Sequence, residues 1–311
     1  MKAIITGSLV IDIVIYPTQH FKLTKDNIAF PFDHKIQINK IFIEPGGSGF
    51  NVSRILSSFG NKIEFFGAIG KDTYGQIILK EMKKNKIKTD NIKIIQSDLT
   101  GFSLIFLYNG EKTILTYRGA NNYLSEKDLD ETKFHNANVF LFTSMISNQN
   151  IKFIKSAIAL SKELGIKIVC NPSIAMIEHQ KEKLKEFMKE ADFVIMNKKE
   201  AFILTKTKDI KTAIFRLKKI CKGIPILTAG KNGCFVFEKR IKNFKAYPVE
   251  VIDTTGAGDT FTGAFLHAFF LTEELDYSLR FANAAAALKI SNPKRKLPTE
   301  KEIIKLMEEK I

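Results

Sequence analysis

Apolar residues are spread along the 311-residue chain in two rhythms. Short unbroken apolar runs alternate with longer stretches in which apolar positions return every turn of a helix. The first pattern suits a strand covered on both faces, the second a helix lying on a sheet. Residues 3–7, 62–69, 92–96, 139–143, 167–170, 193–196, 224–228, 234–238 and 247–251 are predicted strands. Residues 52–59, 74–85, 151–164, 182–190, 210–222, 262–271, 277–290 and 300–310 are predicted helices. Gly165 is a natural stop for the helix before it. From residue 119 onward the two element types alternate plainly, which predicts a mostly parallel sheet with helices on both faces.

Two segments break this rhythm. Residues 16–45 are punctuated by Pro17, Pro31 and Pro45, and residues 34–44 alternate in the short fashion of strands. Residues 101–117 alternate similarly around Asn109-Gly110, a strong hairpin signal. Together they predict a small sheet set apart from the main core. No internal repeat or low-complexity linker interrupts the chain. The expectation is one domain over residues 1–311, with a β-sheet lid drawn from about 14–45 and 98–118.

Composition narrows the partners. Hydrophobic residues make up 45% of the chain and charged residues 26%, the balance of a globular protein. The formal charge of +15 invites a nucleic-acid reading. Arg, the preferred residue for bidentate base contacts, occurs only at Arg54, Arg118, Arg216, Arg240, Arg280 and Arg295, which are scattered. Lys and Glu alternate along helices such as 181–189, as on a solvated face. Nucleic acid is therefore not expected as a partner, although the excess charge suits attraction of an anionic nucleotide. Cys170, Cys221 and Cys234 form no Cys-x-x-Cys pair and read as buried thiols in a reducing compartment. The N-terminus superficially resembles a signal peptide, but Asp12 interrupts it and the pattern suits a buried strand. No apolar run is long enough to span a membrane. A cytoplasmic protein without membrane contact is expected.

The candidate chemistry centres on residues 253–261, DTTGAGDTF, between a predicted strand and a predicted helix. Gly256 and Gly258 permit positive φ and leave backbone N–H groups open to a ligand at a helix N-terminus, where phosphate is favoured. Asp259 at the same opening is either a stabilising helix cap or a base for a hydroxyl attacking a phosphoryl group. Other candidates surround it. Asp12 is a lone acid among aliphatic residues, either exposed on an edge strand or an acceptor for ligand hydroxyls. Gly46, Gly47 and Asn51 form a Gly-rich entry to a helix, with Asn51 offering donor and acceptor. Asn197 and Glu200 share a helix face, as a cap with its acid or as neighbours of a hydrated divalent ion. Residues 228–233 make another turn. The segments after the strands ending near residues 7, 196 and 228 belong on one rim, the place for ligands in parallel α/β sheets.

At this point a resemblance emerges. GGSGFNVSRILSSFG resembles the N-terminal signature of the ribokinase, or PfkB, family of sugar and nucleoside kinases, and DTTGAGDTFTGAFL resembles its C-terminal one. The spacing of Asn197 to Glu200 and of Thr228 to Gly233 is similar as well. The resemblance implies a ribokinase-like three-layer α/β/α sandwich with a β-sheet lid, and ATP-dependent phosphorylation of a sugar hydroxyl with Mg²⁺. The 5′-hydroxyl of a nucleoside is the alternative acceptor, with Phe102, Phe106 and Tyr117 as candidates for a base slot. A catalytically silent ligand-binding module on the same scaffold is the other alternative. The resemblance assigns Asp259 as catalytic base and Gly256, Ala257 and Gly258 as the anion hole. It assigns Asp12, Gly46, Gly47 and Asn51 to the acceptor, with Arg118 as a further candidate. Asn197, Thr228, Gly230, Gly233 and Asn283 fall to the nucleotide, and Glu200 to Mg²⁺ through water. Asp253 and Thr255 match part of a monovalent-cation (K⁺) site. Two departures stand out. No Glu follows the strand ending in Phe142-Thr143-Ser144-Met145, where ribokinases contact their sugar. Lys294 stands where the family usually has Gly, so its ammonium is expected to replace the cation. The exposed edge of the lid sheet makes a homodimer the expected assembly.

Overall fold

A computed structural model describes residues 1–17, 22–24, 27–30, 32–33, 35–108, 111–292 and 296–309. The predicted Asn109-Gly110 turn and Lys294 lie outside the described residues. The chain begins with β1 (Lys2–Thr6), β2 (Val10–Pro17), a short pair β3 (Lys22–Thr24) and β4 (Asn27–Ala29), and β5 (Ile38–Gly46). Then come α1 (Ser48–Ser58), β6 (Lys62–Gly70), α2 (Thr73–Lys84), β7 (Ile92–Ile95), β8 (Gly101–Tyr108) and β9 (Glu111–Tyr117). After three short 3₁₀ turns, β10 (Val139–Phe142), α3 (Asn148–Glu163), β11 (Lys167–Cys170), α4 (Ile174–His179) and α5 (Lys181–Glu190) follow. The next elements are β12 (Phe193–Asn197), α6 (Lys198–Thr205), α7 (Ile210–Ile220) and β13 (Ile224–Thr228). The chain closes with β14 (Cys234–Phe237), β15 (Ile241–Phe244), α8 (Ala257–Thr272), α9 (Leu275–Ser291) and α10 (Glu300–Glu308).

Among the described residues the main sheet has nine strands in the order β15-β14-β13-β12-β11-β10-β1-β6-β7. It is parallel from β13 to β7, with β14 and β15 antiparallel at one edge. Successive residues of β1 serve opposite cores. Ala3 and Ile5 join the cluster containing Phe50 of α1 and Phe265 of α8, whereas Ile4 joins the one containing Phe153 of α3 and Leu184 of α5. This period-two partition between two dry faces explains the unbroken apolar runs, and the result is a three-layer α/β/α arrangement. A separate sheet of order β5-β2-β8-β9 gathers the two β-rich segments. In it β2 runs antiparallel to β5 and parallel to β8.

Helix α8 holds the candidate chemistry at its first turn, so its packing matters most. It is apolar on nearly all sides, as a helix buried between a sheet and its neighbours must be. A Cβ on Gly263 would come within 2.5 Å of Ile55 Cγ2, so only glycine lets α1 and α8 approach this closely. Phe265 is fully buried and meets the ring of Phe193 edge-on at 5.1 Å.

Some expectations fail, each for a physical reason. Residues 247–251 are not a strand; the edge position is taken by β15, and Pro248 has no N–H to give a ladder. Asp12 is not on an edge strand, since β2 lies between β5 and β8. The helix predicted at 52–59 begins earlier, inside the Gly-rich segment. Helix α4 goes unpredicted, and α6 is marked only by its Asn197–Glu200 start, because each is too short to show a period. Their caps, Ser173 accepting from the Met176 N–H and Asn197 from the Glu200 N–H, are the legible signals. Among the described residues no helix is long and apolar enough to cross a membrane.

Replacing Phe265 by Ala opens a cavity between α8 and β12 and is expected to lower stability by about 3–5 kcal/mol. Urea unfolding followed by circular dichroism measures it, and a loss below ~1 kcal/mol would contradict the packing described.

Candidate functional site

The first turn of α8 is built by backbone conformation before any side chain acts. Gly256 sits at the N-cap in the left-handed region, at φ 75°, which an L side chain adopts only under strain. The turn aims the first amides of α8 outward, where they have no carbonyl four residues back. A Cβ placed on Gly258 would meet nothing within 4 Å, so this backbone lies open. Ala257 is less free: its N–H donates to the Thr254 carbonyl at 3.3 Å. The preceding loop is anchored to α9, with the N–H groups of Ile252 and Asp253 both donating to the Ile290 carbonyl. Asp253 Oδ1 accepts from the Thr255 N–H at 2.8 Å.

Asp259, in this turn, accepts a hydrogen bond from Asn51 Nδ2 at 2.9 Å. That bond ties the C-terminal signature to the N-terminal one. Two cavities meet here, and Gly256 borders both. The larger, about 520 Å³, runs from Asp259 past Asn197 and Glu200 to Thr228 and Gly230. The smaller, about 60 Å³, is lined by Asp12, Glu44, Asn51, Arg54, Thr255 and Lys289 among others. Gly46 lies directly against the Asp12 carboxylate, where no side chain would fit. Gly47 turns the chain into α1 at φ 101°, against the Ser8 carbonyl.

Glu200 and Asn197 cap each other. The Glu200 N–H donates to Asn197 Oδ1 at 2.9 Å, and the Asn197 N–H donates to Glu200 Oε2 at 2.8 Å. The capping reading is therefore observed, and the same pair lines the larger cavity. Burial pushes the Glu200 carboxyl up to about 7, aided by the negative charge of Asp259 and opposed by the hydrogen bonds from Asn197. A carboxylate uncomfortable with its charge in this position is suited to a nearby cation. Among the described residues no cluster of three or more His, Cys, Asp or Glu could hold a metal alone. The residues present fit a Mg²⁺ ion carried in on phosphates and met through water, the usual habit of that ion.

Six expected site residues line neither cavity: Gly46, Gly47, Asp253, Asn283, Gly233 and Arg118. Asn283 directs its amide to the carbonyls of Phe244 and Lys245, at 3.0 and 3.2 Å, and fastens α9 to the end of β15. Gly233 presses on the same segment at φ 76°. Arg118 donates to the carbonyl and hydroxyl of Ser144, both at 3.1 Å, and burial lowers its pKa. Conversely, Arg54 and Lys289 line the smaller cavity without having been singled out. Arg54 could have been found, because it lies three residues after Asn51 and so on the same helix face. Lys289 could not, being 33 residues beyond Gly256 in the numbering and joined to it only by the packing of α8 on α9.

Comparison with known proteins accords with this geometry. A family model described as pfkB family carbohydrate kinase matches residues 2–302. The ribokinase of Haemophilus influenzae is 29% identical over 272 residues, covering 85% of this chain and 87% of its own. The solved adenosine kinase of Sinorhizobium meliloti superposes with a TM-score of 0.83 at 21% identity over 98% of each chain. An Arabidopsis thaliana ribokinase, solved complexed with ribose and ATP, superposes at 0.78 with 23% identity, again over 98% of each chain. These structural likenesses establish the ribokinase fold.

The raised Glu200 carboxyl has a stability consequence in metal-free protein. Its folded-state pKa of about 7 exceeds the ordinary 4.5, so its contribution is full below 4.5 and lost as pH rises through about 7. Denaturant midpoints measured across that window should decline less steeply in Glu200→Gln than in the wild type; parallel profiles would refute the shift.

Proposed function

Since the chain belongs to the PfkB family of carbohydrate kinases and is a phosphotransferase acting on an alcohol group, we propose that it moves the γ-phosphoryl group of ATP to a hydroxyl of a small sugar, with Asp259 as base. The observation that carries this reading is the Asn51–Asp259 hydrogen bond at the junction of the two cavities. On one side stand Asp12 and Asn51, groups able to hold sugar hydroxyls; on the other stand Asn197, Glu200, Thr228 and Gly230, for the nucleotide.

In this mechanism the acceptor hydroxyl lies against Asp259, whose carboxylate orients it and takes its proton. The oxygen forms a bond to the γ-phosphorus while the bond to the β-phosphate oxygen breaks, and ADP leaves with that electron pair. Negative charge on the transferred group is met by the open amides of Gly256 and Gly258 and by the N-terminal end of α8. Glu200 would hold a Mg²⁺ ion through water, and that ion would supply charge neutralisation for the phosphates. Asn51 keeps the Asp259 carboxylate aimed at the acceptor. The four-stranded sheet serves as the lid that keeps water from the phosphoryl group. Asp253 and Thr255 are the place for a monovalent cation, or for the charge that Lys294 would provide in its stead. Exchanging K⁺ for a bulky organic cation separates these, as only the former loses rate.

A sugar is favoured over a nucleoside by the aromatic residues. Phe102 packs on Tyr117 at 5.3 Å and Phe106 on Phe30 at 5.4 Å, and none of Phe102, Phe106 and Tyr117 lines either cavity. The lid sheet has a second role in this reading, as the meeting face of a homodimer. Its edge strands expose Ile41 and Ile43 on β5 and Leu115 on β9, with half or more of each side chain in solvent.

Asp259→Asn, which keeps the shape and the contact to Asn51, is expected to lower kcat by about 10²–10⁴-fold in a coupled ADP-release assay across sugars and nucleosides. Unchanged turnover would exclude Asp259 as base. Ile41→Lys with Ile43→Lys is expected to halve the mass measured by light scattering; a wild type that already runs as a monomer refutes the dimer.

A further inference from the structure

The smaller cavity holds a charge arrangement that a neutral sugar does not account for. Arg54 lies on α1 three residues after Asn51, on the face that looks toward α8 and α9. Its Nε is buried with no hydrogen-bond partner. Its guanidinium rests over the ring of Phe50, with the carbon 5.6 Å from the ring centre, and forms no ion pair or hydrogen bond among the described residues. That buried Nε is costly to hold, because it has lost water without gaining an acceptor. Lys289, from α9, brings a second positive charge to the same cavity. Asp12 and Glu44 also line it, on neighbouring strands of the small sheet and directly opposite each other in register.

Resting on the kinase reading above, we propose that the acceptor carries an anionic group of its own, a phosphate ester or a carboxylate, which Arg54 holds with Lys289 beside it. The geometry of α1 sets the scale. Asn51 touches Asp259, where the reacting hydroxyl belongs, and Arg54 stands about one helical turn further on, roughly 5–6 Å away. That span matches a small sugar with its hydroxyl at one end and its anion at the other. Asp12 is left to the hydroxyls between them. A cavity of about 60 Å³ has room for a few water-sized groups, enough for the oxygens of one such anion. The guanidinium fork suits two of those oxygens at once.

The test compares three acceptor classes by ADP release: neutral pentoses and hexoses, their phosphate esters, and the corresponding sugar acids. The expected result is that one anionic class exceeds its neutral counterpart in kcat/KM by about 10- to 100-fold, and that Arg54→Gln collapses this ratio chiefly through KM. The phosphate and carboxylate arms identify the anion. Arg54→Lys keeps a charge and most of the stem but loses the fork, so an intermediate ratio is expected and guards against a misfolded Gln variant. Neutral sugars preferred by the wild type, with a ratio that Arg54→Gln leaves unmoved, would overturn the proposal while sparing the kinase reading. ADP release with none of the three classes would overturn both.

Discussion

Asn51 and Asp259 stand 208 positions apart in the chain, and one hydrogen bond joins them. Much of the molecule exists to keep that bond in place. Asn51 is fixed by α1, which closes on α8 through Gly263 and on the loop after β1 through the facing Cα atoms of Gly7 and Gly49. Asp259 is fixed by the left-handed turn at Gly256 and by the anchoring of the preceding loop to Ile290. Larger side chains at these contacts would push the two signatures apart. Helix α8 is consequently the least negotiable element, apolar on nearly all sides and buried against β12.

The electrostatics follow from the same closeness. Asp259, Glu200, Asp12 and Glu44 bring negative charge to a rim that has to receive phosphates. The opposing terms are the open amides of α8, the cations Lys198 and Lys199 beside the larger cavity, and Arg54 and Lys289 in the smaller one. Glu200 registers the tension: half-buried, near Asp259, its carboxyl rises toward neutrality despite a capping box that favours its charge. Such a site is tuned for occupation by a cation and an anionic nucleotide together, and is less comfortable without them.

Much of this was legible in the chain. The β–α alternation identified a parallel sheet because strands buried on both faces have no polar side to show. The two Pro-punctuated, alternating segments identified a second sheet, and β2, β5, β8 and β9 form one. The Gly-rich turn, Asp259 and Asn51 stood out as candidates, either as caps or as chemistry, and the fold brings Asn51 and Asp259 into contact. Less legible was the edge of the main sheet. Residues 247–251 alternate like a strand, yet Pro248 and the prior claim of β15 leave them irregular. Asn283 looked like a nucleotide contact, and in the fold its amide serves two main-chain carbonyls.

The sequence by itself determined the layers, the order of elements and the residue types at the site, because periodicity and turn chemistry are local and survive without a partner. Only the tertiary structure decided which of those residues face one another. It brought Asn51 to Asp259, split the rim into two cavities with Gly256 between them, and placed Arg54 and Lys289 together. Those outcomes depend on how closely α1, α8 and α9 can approach, and interhelical distance is set by the side chains of both partners at once. No single stretch of the chain carries that information.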